Sequence, residues 1–161
     1  MTAQVTEKLI YQGKSYDMCT NPLGSLLKQR GFGRLVSPHT ACWRGYVGTW
    51  TVESDALYLT DIKAYVRAEE GDDSDYQIWG MAELFPEASN GVFAHWYSGE
   101  VRCPMGKRLQ YVHAGYQSQY EFDLFLNFKL GRLMDRRTVI NGKSDDPNAT
   151  NGYSVNALTK F

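Results

Sequence analysis

The segment Gly91–Phe128, GVFAHWYSGEVRCPMGKRLQYVHAGYQSQYEFDLFLNF, decides the fold class. Its end is the clearest strand in the chain. From Tyr120 to Phe128, Phe122, Leu124, Leu126 and Phe128 share one side of a two-residue period, and Glu121, Asp123 and Asn127 share the other. Such alternation marks a strand with one buried and one wet face. Upstream, Val92 to Cys103 reads as a strand bent at Ser98-Gly99, because a glycine inside a strand pattern marks a bulge. Pro104-Met105-Gly106-Lys107 reads as a turn, after which Leu109 to Ala114 would pair back. Gly115 to Ser118 is the next bend.

The pattern continues in both directions. Leu130-Gly131-Arg132 turns the chain into a strand from Leu133 to Ile140, and Asn141-Gly142 is a turn dipeptide. Near the start, Lys8 to Met18 forms a hairpin around Gln12-Gly13-Lys14. Ala41 to Val52 and Ala56 to Val66 form another around Glu53-Ser54-Asp55, with Leu57 and Leu59 alternating with Tyr58 and Thr60. Leu35-Val36 is a short strand, and Tyr76 to Phe85 runs from strand into a helical turn closed by Pro86. One short helix is expected near residues 22–30. Asn21-Pro22 starts it, Leu23, Leu26 and Leu27 share a face, and Gly31 and Gly33 end it.

The expected fold is mainly β, a β-rich α+β domain. About eight strands in an antiparallel meander would curl into a barrel or half-barrel. Residues 1–142 make one globular domain, and 143–161 a polar tail with room for one more strand at Tyr153 to Ala157. An aromatic content of 14% agrees with sheet.

Charge excludes one large class. With 17 basic and 18 acidic residues the chain lacks the basic excess of a general nucleic-acid binder. No apolar run approaches the ~18–20 residues that cross a bilayer, and the first residues show no secretory core. The three cysteines, Cys19, Cys42 and Cys103, do not form an even framework of disulfides. Free thiols in a reducing cytoplasm are expected. No cofactor motif is present, and no cofactor is expected.

Several groups invite chemistry. His39, His95, His113, Cys42 and Cys103 lack the tight spacing of a metal site, so no metal is assigned. His113 would lie beside Glu121 and Asp123 if residues 109–114 pair with 120–128, a general base with an orienting carboxylate. His95 and Tyr97 share a face on the preceding strand. Cys103 has Arg102, Lys107 and Arg108 nearby, and cations lower a thiol pKa. Trp43, Tyr46, Trp50, Trp79, Trp96 and Tyr97 would line a cavity or pack the core. Arg132, Arg136 and Arg137 with Lys107 and Arg108 would make a local basic patch for nucleic acid, but the acidic loops offset it and no nucleic-acid motif accompanies it. Glu69 to Asp75 holds five acids in seven residues, a solvated loop or an anionic docking patch.

Two resemblances follow from these motifs. Gly48-Thr49-Trp50 resembles the G-x-W of lipocalins, which implies a tryptophan across a barrel end and a small ligand inside. Here, however, other elements precede a motif that lipocalins carry in their first strand. Trp43 to Trp50 (WRGYVGTW), Phe93 to Glu100 (FAHWYSGE) and Tyr111 to Tyr116 together resemble small uncharacterised bacterial proteins over roughly residues 9–140. That resemblance implies a bacterial accessory protein and carries no activity or catalytic residue.

The expected function is non-enzymatic: a cytoplasmic inhibitor of the immunity or antitoxin type that blocks a protein partner, such as a basic toxin or effector. Asp72, Asp73, Asp75, Trp96 and Tyr97 are the candidate partner-binding residues. The alternatives are a small β-barrel enzyme using His113 with Glu121 or Asp123 on a small polar substrate, and a lipocalin-like binder of a small ligand.

Overall fold

The computed structural model describes residues 2–29, 35–68, 75–88 and 90–155. The structure is mostly β, with 51% strand and 8% helix. The strands are β1 (Glu7–Tyr11), β2 (Lys14–Met18), β3 (Tyr46–Glu53), β4 (Ala56–Arg67), β5 (Tyr76–Trp79), β6 (Val92–Phe93), β7 (Gly99–Gln110), β8 (Gln119–Lys129) and β9 (Arg132–Ile140). The helices are α1 (Gly24–Gln29), the single turn α2 (Met81–Leu84) and a 3-10 turn at Pro86–Ala88. All nine strands belong to one sheet of order β2-β1-β3-β4-β9-β8-β7, with β5 and β6 also paired to β4.

Three tight turns set the hairpins. Gln12-Gly13, Ser54-Asp55 and Leu130-Gly131 all have positive φ at both central positions. That geometry matches the right-handed twist of the flanking strands. The meander is not wholly antiparallel. β1 pairs parallel with β3, Lys8 opposite Thr49, because β2 and α1 carry the chain over before β3 enters.

The segment around Pro104 departs from expectation. β7 runs unbroken through Pro104 and Gly106 and pairs with β8 from Gly99↔Phe128 to Gln110↔Gln119. Arg102 turns its backbone away from β8: its N–H donates to Thr20 Oγ1 and its carbonyl accepts from Cys19 N. Pro104, two residues on, faces the same way, so its missing N–H removes no ladder bond. Gly106, at φ +82, sits in a register shift between Met105 and Arg108. Nor is Val92 to Cys103 one bent strand. β6 pairs with β4, a turn at residues 94–98 intervenes, and β7 pairs with β8.

The sheet does not close into a barrel. β4 and β9 pair at Ala56↔Arg132 and then diverge. At the other end, Cys19 and Thr20 bridge to Arg102 without a strand ladder among the described residues. The concave side holds the core: Leu9, Trp50, Leu57, Leu59, Leu126 and Phe128 are buried there, with α1 contributing Leu26 and Leu27. Residues 143–155 are strapped across β7 and β8. Ser144 N donates to Glu121, Lys107 bridges to Asn151, and Tyr153 stacks on Tyr120 at 5.7 Å. Within the described part of 153–157 no strand forms.

Candidate functional site

The acid–base group is not assembled. β7 ends at Gln110, so His113 sits in an exposed bend beyond the ladder, and its Nδ1 meets Tyr111 Oη at 2.7 Å. Glu121 accepts from Lys107 N at 2.8 Å and Ser144 N at 2.9 Å. These two N–H groups hold its carboxyl below the ordinary carboxylate value. Asp123 is buried. It accepts from Arg102 Nε at 2.8 Å and Asn141 Nδ2 at 2.9 Å. The remaining guanidinium nitrogens of Arg102 donate to the carbonyls of Tyr116 and Ser118. Each carboxylate therefore staples a loop to the sheet rather than orienting a base.

The thiols are equally occupied by structure. Cys19, Cys42 and Cys103 are free and buried. Burial pushes Cys19 up to about 12 and Cys103 further still, outweighing the nearby arginine. Cys42 is raised for the same reason. In the native protein at about pH 8, a maleimide should label none of the three while unfolded chain reacts fully. A rapidly labelled thiol in folded protein would return Cys103 to candidacy. Among the described residues no group of three or more His, Cys, Asp or Glu stands close enough to hold a metal ion, and no helix is long and apolar enough to cross a membrane.

The six aromatics do not share a cavity. Tyr46 and Trp50 lie in the core, whereas Trp43 is 57% exposed. Trp96 and Tyr97 are half-buried against the core. Trp96 Nε1 donates to Pro22 O at 2.7 Å and Tyr97 Oη to Glu100 O at 2.8 Å. Trp50 is buried as the lipocalin resemblance implies, but its Nε1 donates to Glu7 in an open sheet. Of the acidic run, Asp75 is exposed, and Asp72 and Asp73 lie outside the described residues.

A cluster missed from sequence centres on Glu7. This fully buried carboxylate accepts from Arg44 Nη2 at 2.8 Å, Gly48 N at 2.7 Å and Trp50 Nε1 at 3.2 Å. Burial raises its carboxyl above the ordinary value, against the opposing pull of Arg44 and the two N–H donors. A signal was available: Glu7 is in phase with Leu9 and Tyr11, so it had to face the core.

Among the open surfaces of the described residues, two offer the most to a ligand or partner. The first is β9. Met134 to Thr138 are all exposed, and Met134 and Ile140 reach 61% and 75% exposure. Asn141 N donates to Glu121 O across the β8 side. The antiparallel alternation therefore turns the backbone of Arg136, Thr138 and Ile140 to the open side. Arg136 lies over Tyr11, and Arg137 lies over Phe125 and pairs with Glu100 at 3.1 Å. Arg108, by contrast, is buried, so the basic residues of β7 and β9 do not make one patch. The second surface is a pocket of about 570 Å³ on the convex face of β1–β4, bordered by His39, Lys63 and the tail at Tyr153–Val155.

Compared with known families, curated proteins and solved structures, the chain matches none.

Proposed function

We propose that the protein is a non-enzymatic binding protein, an inhibitor of the immunity or antitoxin type that blocks a partner protein. The observation that carries this reading is β9, a nine-residue strand whose edge beyond the Ala56–Arg132 seam has no strand partner among the described residues, with exposed Met134 and Ile140 among arginines. Apolar anchors beside arginine are the composition of protein interfaces, and a free strand edge offers main-chain bonds to a partner. The separate engagement of His113, Glu121 and Asp123 supports binding over acid–base catalysis. The acidic run from Glu69 to Asp75 would steer a basic partner towards the molecule.

The test is capture of partners from the source cell by the tagged chain, followed by binding kinetics on what is captured. One stoichiometric polypeptide that survives moderate salt is expected. Ile140→Glu should then weaken its binding about tenfold or more, as loss of a buried anchor does. Neutralising Asp72, Asp73 and Asp75 should slow association and flatten its salt dependence. A chain that captures nothing, or a partner indifferent to both variants, would overturn the reading.

A further inference from the structure

The convex face of β1–β4 should be an ordinary wetted sheet surface. Instead, two segments remote in sequence are fixed against it. The loop at residues 37–45 is held by Gln4, whose Nε2 donates to Thr40 O at 2.8 Å and whose Oε1 accepts from Trp43 N at 2.8 Å. The tail is held by Tyr153, whose Oη donates to Gln4 O at 2.6 Å. Between them lies the pocket of about 570 Å³, floored by Lys8, Val47, Lys63 and Tyr65. Ligand pockets span roughly 300–1,000 Å³ and combine apolar walls with a few placed polar groups.

Charge decides what it would take. Asp17, the carboxylate of the lining, is already engaged by Lys8 and Thr6, so it has little to offer a cation. Lys63 lies over the Tyr65 ring at 5.5 Å and forms no ion pair among the described residues. His39 borders the same space. The lining thus keeps one ammonium and one imidazole for a ligand, beside the apolar surfaces of Val5, Val47, Tyr153 and Val155.

We propose that this pocket binds a small organic anion with an apolar body, its acidic group against Lys63 and its body against Val47 and the tail. The site uses nothing from β9, so it stands or falls apart from the partner-binding reading.

The test is calorimetric titration of the full chain with 4-phenylbutyrate, phenyl phosphate and the neutral 4-phenylbutanol. Saturable binding of one equivalent is expected for at least one anion, and which of the two binds tells a carboxylate site from a phosphate site. The alcohol should bind about tenfold or more weakly, the range expected for losing a charged hydrogen bond. Lys63→Met should cost the anion a similar factor and leave the alcohol unchanged. Lys63 is exposed, so this variant should keep the wild-type unfolding midpoint. Val47→Glu, which places a carboxylate in the floor, should abolish anion binding. The proposal is overturned if neither anion binds, if the alcohol binds as tightly as the anion, or if Lys63→Met and wild type bind the anion alike.

Discussion

Arg44→Met should lower stability by about 3–5 kcal/mol at neutral pH, the usual result of stranding one partner of a buried ion pair. The guanidinium donates to Glu7 from Nη2 and to Val5 O from Nη1, both at 2.8 Å. Without it, Glu7 retains only Gly48 N–H and Trp50 Nε1–H. The pH dependence carries the diagnosis. The folded carboxyl of Glu7 is already raised by burial. A carboxyl raised on folding contributes stability that is complete below its unfolded value and lost as pH rises through the folded one. Removing Arg44 takes away the largest opposing influence, raises the folded value further and extends that window upward. The deficit of the variant should therefore shrink on going from about pH 7 to about pH 5. Urea unfolding at both values reads it. A loss below about 1 kcal/mol, equal at both, would mean that Glu7 is not stranded when Arg44 leaves.

Local signals were legible and long-range ones were not. The hairpins at Gln12-Gly13 and Leu130-Gly131 are properties of a few adjacent residues, and the structure has them where the sequence puts them. In β8 the apolar row holds at Leu124, Leu126 and Phe128, but Asp123, expected on the wet face, is buried against Arg102 and Asn141. Pro104 and Gly106 misled because their usual meaning is a turn. Only the position of β7 at the margin of the sheet, facing Thr20 and not another strand, lets a proline stand there. The parallel pairing of β1 with β3 depends on where a helix carries the chain, which alternation does not encode. The expected acid–base group needed a strand through Leu109 to Ala114, whereas β7 ends at Gln110 and leaves His113 in a bend beyond the ladder. The convex pocket was invisible for a different reason. Its lining comes from Val5, Lys63 and Tyr153, which the chain brings together only through the tail. Tyr153 sits in a polar tail whose sequence offers no sign of packing on the sheet, yet its ring stacks on Tyr120 and its hydroxyl donates to Gln4 O.

Gly131→Ala should be the most disruptive added methyl among the described glycines, at about 2–5 kcal/mol from left-handed strain and overpacking together. Gly131 has φ +80, and an added Cβ would lie 2.6 Å from Ala94 O and 2.8 Å from a Phe93 ring carbon. Both neighbours are pinned, Ala94 by its N–H donating to Leu57 O and Phe93 by its pairing with Tyr58 in the sheet, and Gly131 itself bonds to Tyr97 O and Leu57 N. The control is Gly13→Ala. Gly13 has φ +75 in the same kind of turn, with nothing within 4 Å of the added carbon. It should cost only the strain, about 1 kcal/mol. Thermal unfolding of the two variants separates backbone strain from steric conflict, and equal losses would show that the contact at Ala94 relaxes freely. The difference bears on function because Gly131 lies at the seam where β4 meets β9. Leu133 N donates to Asp55 O beside it, so this corner sets the direction in which β9 leaves the sheet. A displaced seam re-aims Met134 and Ile140, whereas Gly13 lies at the β1–β2 turn. If β9 carries the partner, Gly131→Ala should weaken binding beyond what its lost stability explains, and Gly13→Ala should bind as wild type.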